Sequence, residues 1–254
     1  MKKVCNWLRI NRKTYDTKVF FENKGYCCIC ERETVFVASD QWLRDFYKCE
    51  ICKTIPRNRA LVNALNIFVS DWKNFKIHES SPGGSVSDYL KRNCIHYSSS
   101  HFYSDTPRGE YKNGYRSEDL TELTFENESF DVFVTSDVFE HVFYPERAFN
   151  EIQRVLRPGG YHIFTMPWYP HLEKSVRRTR LREDGSFEFL KDPVYHGNPI
   201  GNGSIVTFDW GLDFTDVIFR ACNMTTTIYS ERDRKKGLDG EFLEVFISRK
   251  LIAT

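Results

Sequence analysis

Four cysteines fall in two pairs, Cys27-x-x-Cys30 and Cys49-x-x-Cys52, with 18 residues between the pairs. Two intervening residues let both thiolates of a pair converge on one ion from a tight knuckle. Two such knuckles supply the four sulfurs of a tetrahedral zinc site. Gly25-Tyr26-Cys27-Cys28-Ile29-Cys30 and Lys48-Cys49-Glu50-Ile51-Cys52-Lys53 are turn-like settings, and Thr34-Val35-Phe36-Val37 between them reads as the strand of a ribbon. A four-sulfur site has no open coordination position, so its expected role is structural. Four buried free thiols are the alternative, and Cys28 competes with Cys27 for the first knuckle. Cys5, Cys94 and Cys222 have no partner at such spacing and read as core thiols.

Proton chemistry has two main candidates. His141 ends the run Asp137-Val138-Phe139-Glu140-His141, directly after an apolar strand, and His196 lies in the turn-rich Asp192-Pro193-Val194-Tyr195-His196-Gly197-Asn198-Pro199. Histidine is the natural general base near neutral pH. Each also has an ordinary reading, packing for His141 and a turn hydrogen bond for His196; His171 is a weaker third candidate. Asp131 and Glu140 read as structural partners rather than an acid/base pair. Lys174, Arg177, Arg178, Arg180 and Arg182 crowd five positive charges into nine residues. They form either a solvated helical face or a clamp for an anionic acceptor such as a phosphorylated or uronic sugar.

Elements must hold these groups in place. Pro56 followed by Arg57-Asn58-Arg59-Ala60-Leu61-Val62-Asn63-Ala64-Leu65 signals a helix. Strand-like and helix-like runs then alternate: strand Lys76-Ile77-His78-Glu79, a Pro82-Gly83-Gly84 turn, a helix around 87–92, strand Ile95-His96-Tyr97, strand Phe130 to Thr135, helix Glu146 to Leu156, a stop at Arg157-Pro158-Gly159-Gly160, and strand Tyr161 to Thr165. This order implies a parallel sheet covered by helices on both faces. The stretch 167–206 exceeds a simple connection and is expected to form a lid over a substrate. The expected divisions are an extension at 1–25, a zinc ribbon at 26–56, and the α/β domain at 57–254 with its insertion at 167–206. A net charge of +1 argues against a broad polyanion-binding face. No apolar run reaches the roughly 18 residues of a membrane span, and none follows the basic start, so a reducing cytoplasm is the expected compartment.

Taken in order, Glu79 to Ser85, Ser117-Glu118-Asp119-Leu120, Phe130-Asp131-Val132-Phe133-Val134-Thr135-Ser136-Asp137-Val138-Phe139-Glu140-His141-Val142 and Arg157-Pro158-Gly159-Gly160 resemble the motifs of class I S-adenosylmethionine-dependent methyltransferases. The resemblance covers roughly residues 60 to 250. The preceding ribbon with Ile55-Pro56-Arg57-Asn58-Arg59-Ala60-Leu61 resembles a bacterial subgroup of them. It implies an α/β, Rossmann-like methyltransferase sheet with helices on both faces, preceded by a small zinc ribbon. It also implies a cofactor site at Glu79, Ser81, Gly83, Gly84, Ser100, Asp119, Leu120, Ser136 and Asp137. Asp119 would accept from the adenine amino group beside the Leu120 backbone, while Ser136 and Asp137 would border the methionine part and the sulfonium. Two departures stand out: Ser81, Gly83 and Ser85 occupy the positions of three alternating glycines, and Ser98-Ser99-Ser100 replaces the ribose-binding acid.

The expected activity is methyl transfer from S-adenosylmethionine to oxygen of a small or sugar-like acceptor, with His141 or His196 as base and structural Zn2+ in the ribbon. Arg57 and Arg59 could reach the cofactor carboxylate or the acceptor. Two other readings stay open. One is an RNA methyltransferase with a zinc-bound head, weakened by the near-zero charge and by Ser136-Asp137-Val138-Phe139 where an Asn-Pro-Pro-Tyr-type motif would stand. The other is a non-catalytic scaffold that keeps the fold to bind a partner.

Overall fold

The structure, a computed structural model, describes residues 19–198 and 200–252. Residues 1–18 of the expected extension, Cys5 and Pro199 lie outside the described residues. The ribbon is an antiparallel three-stranded sheet of β1 (Phe21–Cys27), β2 (Arg32–Ala38) and β3 (Tyr47–Cys49). It starts at Phe21, ahead of the expected boundary at 26, because the residues before the first knuckle pair in register with β2. A single turn, α1 (Leu43–Phe46), precedes β3.

Pro56, whose missing N–H costs nothing in a first turn, opens α2 (Pro56–Phe68). The main domain then runs β4 (Lys76–Ser80), α3 (Gly84–Asn93), β5 (His96–His101), β6 (Tyr111–Lys112), β7 (Tyr115–Ser117), β8 (Phe130–Ser136), α4 (Pro145–Val155) and β9 (Leu156–Thr165). An insertion follows, built of short antiparallel ladders: β10 (Val176–Arg177) with β15 (Phe208–Asp209), β11 (Thr179–Leu181) with β12 (Phe187–Phe189), and β13 (Tyr195–Asn198) with β14 (Gly201–Ile205). The chain returns through α5 (Phe214–Cys222), β16 (Thr225–Tyr229) and β17 (Val245–Arg249).

The main sheet has the order β16-β17-β9-β8-β4-β5-β7-β6. β5, β4, β8 and β9 are parallel, while β17 runs against both β9 and β16. Strand alternation explains the two cores. Val132 and Val134 of β8 pack with Ile77, Ile163, Leu61 and Leu90 under α2 and α3. Phe133 points the other way, with Phe149, Phe164, Ile218 and Phe246 under α4 and α5. The result is the helix–sheet–helix layering the alternation implies. Among the described residues no helix is long and apolar enough to cross a membrane.

Three segments differ from the sequence reading in ways that matter. β5 continues through Ser98, Ser99 and Ser100 to His101, so the serines sit within the strand rather than past its end. The Arg157-Pro158-Gly159-Gly160 segment is already part of β9, with a register shift opposite β8 between Phe130 and Val132. The five clustered cations lie on and beside β10 and β11, not on a helix.

Candidate active site and cysteine cluster

The ribbon brings Cys27, Cys30, Cys49 and Cys52 together, all four sulfurs within 4.8 Å of one another. Cys27 Sγ stands 3.7 Å from Cys52 Sγ, and Cys30 Sγ stands 3.7 Å from Cys49 Sγ. Zinc–sulfur bonds of about 2.3 Å would set tetrahedral sulfurs about 3.8 Å apart, so the cage has the dimensions of a zinc tetrathiolate. Cys28 is out of this set, its thiol lying 3.7 Å from the Arg59 carbonyl. Arg59 itself is fully buried. Its guanidinium donates to the carbonyls of Thr54, Tyr47 and Gly237, and none of its hydrogen bonds reaches a carboxylate. An interior cation without an anionic partner is costly, and four thiolates around Zn2+ carry a net charge of about −2 that would balance it. Arg59 is thereby sealed in the ribbon's interior, away from any cofactor carboxylate. Cys94 and Cys222 are buried, as core thiols are.

The sheet order reverses between β4 and β8: from β4 the chain first moves out to β5 and β7, then crosses back to β8 and β9. Ligands of open α/β sheets bind beyond the carboxyl ends of the strands at such a point. Here both flanking strands are followed at once by a residue with left-handed backbone, Ser81 at φ 58° and Asp137 at φ 51°. Non-glycine residues hold this conformation at a cost, and such strain gathers at ligand sites. Gly84, also left-handed, would carry a Cβ that meets none of the described residues within 4 Å.

Inside the first flank, Glu79 is buried and accepts from Ser87 Oγ (2.8 Å) and from the Tyr97 hydroxyl. Burial pushes its carboxyl up to about 7 against the pull of those two donors. Ser87 Oγ also accepts from the Gly83 N–H (2.7 Å), so Glu79 braces the turn through one hydroxyl. Ser100 is turned elsewhere: on β5 it shares a face with Ser98, and both hydroxyls meet the buried His78 ring at 2.9 Å. Asp119 folds an Asx turn, Oδ1 accepting from Thr121 N (2.8 Å) and Oγ1 (2.7 Å), with Leu120 buried beside it.

On the second flank, Ser136 Oγ lies 3.1 Å from Thr165 Oγ1, which donates to Asp137 Oδ1 at 3.0 Å. Asp137 Oδ2 holds two guanidiniums, Arg44 Nη2 at 2.5 Å and Arg57 Nε at 2.8 Å. These hold its carboxyl below the usual range despite burial. Sequence reasoning missed Arg44, which sits in the ribbon between the knuckles with no motif around it. A cavity of about 390 Å³ lined by Glu128, Pro158, Asn223 and Lys250 lies at the other end of the sheet, and no residue named in this crevice lines it.

Past Asp137 the two candidate bases meet. Thr207 N–H and Oγ1 donate to the Glu140 carbonyl (2.7 and 3.0 Å), and Arg177 donates to the Phe143 carbonyl (2.8 Å), pinning the insertion to the segment after β8. His196, carried on β13, comes within 5.1 Å of His141 ring to ring, nearly perpendicular. Glu140 Oε1 is 3.8 Å from His141 Nε2 and 3.7 Å from His196 Nδ1. Glu140 is 1% exposed, and among the described residues neither of its carboxylate oxygens has a hydrogen-bond partner. His141 Nδ1 lies 2.8 Å from the Ile205 carbonyl, which can only accept, so Nδ1 carries a proton and in the neutral ring Nε2 is the acceptor. The three groups offer atoms within 4.8 Å of one another and could instead hold a cation. His171 is exposed and edge-on to Tyr169, apart from this cluster. Of the five clustered cations, Arg178 pairs with Asp209 (2.8 Å) and Arg177 stacks over Phe208, so no common clamp forms.

Residues 82–164, from the turn after β4 to the last residues of β9, match the family model described as a methyltransferase domain. Together with the strand order above, this matched segment, about a third of the chain, has the Rossmann-like fold of a methyltransferase domain. Similar solved structures include an S-adenosylmethionine-dependent methyltransferase from Mesorhizobium loti, at 15% identity over 75% of this chain and 98% of that one, with a TM-score of 0.49. A second, from Methanosarcina mazei, has 18% identity over 73% and 98% of the two chains and a TM-score of 0.44. The Burkholderia thailandensis 1,6-didemethyltoxoflavin-N1-methyltransferase, solved with 1,6-didemethyltoxoflavin and S-adenosylhomocysteine, has 15% identity over 77% and 78% and a TM-score of 0.45. No curated protein sequence matches the chain.

Proposed function

We propose that the protein methylates a hydroxyl oxygen of a small, sugar-like metabolite, with an imidazole of the His141–His196 pair as general base and a structural zinc in the ribbon. The observation that carries the reading is the meeting of these two histidines, 55 residues apart in sequence, at the buried carboxylate of Glu140. S-adenosylmethionine, when bound, supplies an electrophilic methyl group on a sulfonium. Asp119, with one carboxylate oxygen outside its Asx turn, would take the adenine amino group; Ser81, Gly83 and Gly84 leave room for backbone approach. The insertion covers the acceptor and excludes water. His141 Nε2, oriented by the Ile205 carbonyl, accepts the acceptor's hydroxyl proton as its oxygen attacks in line, and Glu140 stabilises the imidazolium so formed. The tetrathiolate site, closed to further ligands, takes no part in the chemistry.

Calorimetric titration of S-adenosylmethionine and S-adenosylhomocysteine into wild type and Asp119→Ala, with metal content assayed on the same sample, tests the reading. Wild type is expected to bind both, Asp119→Ala to bind them about tenfold or more weakly, and zinc to stand at one per chain. No binding by folded, zinc-loaded wild type would overturn the enzyme reading and put the scaffold alternative first. A second metal equivalent lost in Glu140→Gln would place a cation at the histidines and remove them from proton transfer.

A further inference from the structure

We propose that the ribbon completes the cofactor site: Arg44 and Arg57 bind the α-carboxylate of the cofactor's methionine part, and Asp137 binds its α-ammonium. This rests on the methyltransferase reading and assigns one half of the ligand to particular side chains.

The basis is an ion-pair network at the strand-end crevice. Arg44, from the ribbon turn α1, and Arg57, from the first turn of α2, both reach Asp137 Oδ2. Arg57 Nη1 also holds Asp45 Oδ1 at 2.7 Å. The side chains of Arg44, Arg57 and Asp137 are only 8%, 20% and 18% exposed, so their charges act through a poorly solvated medium. Arg44 is fixed from behind: its backbone N–H donates to Glu241 Oε2 (3.3 Å), Nη1 donates to the Phe242 carbonyl (3.1 Å), and the guanidinium lies over the Phe242 ring. Asp137 is fixed by Thr165 and held at positive φ.

The two guanidiniums are matched by the two carboxylates that their side chains hold, Asp137 and Asp45, while Glu241 meets only the Arg44 backbone N–H. An anion or a cation added alone would upset that balance, whereas a zwitterion leaves it intact. The α-amino acid end of the cofactor is such a zwitterion. Its carboxylate takes the guanidinium N–H groups now given to Asp137, and its ammonium takes the Asp137 oxygen thereby released. Each broken pair is replaced by one of the same kind, so insertion leaves no buried charge unpaired. The position fits as well, because Asp137 directly follows the strand beside the Ser81 to Gly84 turn across the point of reversal.

Titration of S-adenosylhomocysteine and of 5′-methylthioadenosine, which lacks the amino acid end, into the zinc-loaded full chain separates this role from simple support of the fold. Arg57→Gln and Asp137→Asn are expected to weaken S-adenosylhomocysteine about tenfold or more while leaving methylthioadenosine within about twofold. Arg44→Gln is expected to do the same. If it also unseats the ribbon, both ligands weaken, and Arg57→Gln decides. Equal loss of the two ligands in Arg57→Gln and Asp137→Asn, or no loss of either, overturns the assignment while the methyltransferase reading stands. Wild type that binds neither ligand overturns both.

Discussion

Among the described residues, the two buried Glu140 oxygens have no hydrogen bond, and Oε1 lies 3.8 and 3.7 Å from two imidazoles, so a protonated ring or a cation there would supply the missing partner. Replacing the true base with alanine should lower single-turnover methyl transfer by about 10²–10⁴ and leave S-adenosylhomocysteine affinity unchanged. His141→Ala is expected to have the larger effect, because its Nε2 is the nitrogen already fixed as acceptor. Full turnover in both His141→Ala and His196→Ala would remove the base from the mechanism. Glu79 makes a separate case. With its folded value near 7 and an ordinary one near 4.5, the folded chain keeps a proton through that interval that the unfolded chain has lost. Stability from this group is therefore full below about 4.5, falls as pH rises, and levels off above about 7, a loss of about 3 kcal/mol at most. Thermal unfolding at pH 5 and pH 7.5 should show this loss in wild type and not in Glu79→Gln; parallel behaviour would refute it. Side-chain direction on a strand was the part least legible in the sequence. Ser100 was readable as a strand-end hydroxyl, but its face is set by where β5 stops, and β5 stops only at His101.

At the scale of elements, legibility followed the range of the determining forces. Cys-x-x-Cys spacing, Pro56 and Pro145 at helix starts and the apolar run of β8 are local signals, and the elements they mark are present. The insertion had no such period, and its ladders are two to five residues long, held by long-range anchors such as Thr207 and Arg177. The meeting of His196 with His141 follows from those anchors, which is why each residue was readable alone but their pairing was not. The knuckle offers a sharper test of spacing against geometry. Cys28 and Cys27 are equally available by count, yet only Cys27 faces the other three sulfurs. Cys28→Ser is expected to keep one zinc per chain, and Cys27→Ser to lose it together with several kcal/mol of stability. Retention of zinc in Cys27→Ser and loss in Cys28→Ser would reverse the assignment.

For the molecule as a whole, the ribbon is not a free appendage, because it is held by the segment between β16 and β17, by the end of β8, and by α2 and α3 through Arg57, Tyr89 and Arg92. Asn23 and Tyr47 donate to the Arg234 carbonyl, Arg59 to Gly237, and Arg44 to Phe242 and Asp137. Approach is close enough that a Cβ on Gly25 would stand 2.1 Å from the Lys235 carbonyl oxygen, and one on Gly237 2.6 Å from the Phe36 ring. A small sheet of three strands buries too little to fold without its metal. On the proposed zinc occupancy, metal removal is expected to release Arg59 from its counter-charge, loosen the 234–242 segment, and weaken the hold of Arg44 on Asp137. Chelation is expected to lower the unfolding temperature of the entire chain in one transition rather than melt a ribbon ahead of the rest. Under conditions where the chelated chain stays folded, it should lose more affinity for S-adenosylhomocysteine than for 5′-methylthioadenosine, since the part of the ligand nearest the ribbon is the amino acid end. Calorimetry with and without chelator checks both. Two separate transitions with unchanged affinities would mean that the cysteine cage stabilises only its own knuckles, and that Asp137 and Arg57 suffice to hold the crevice without it.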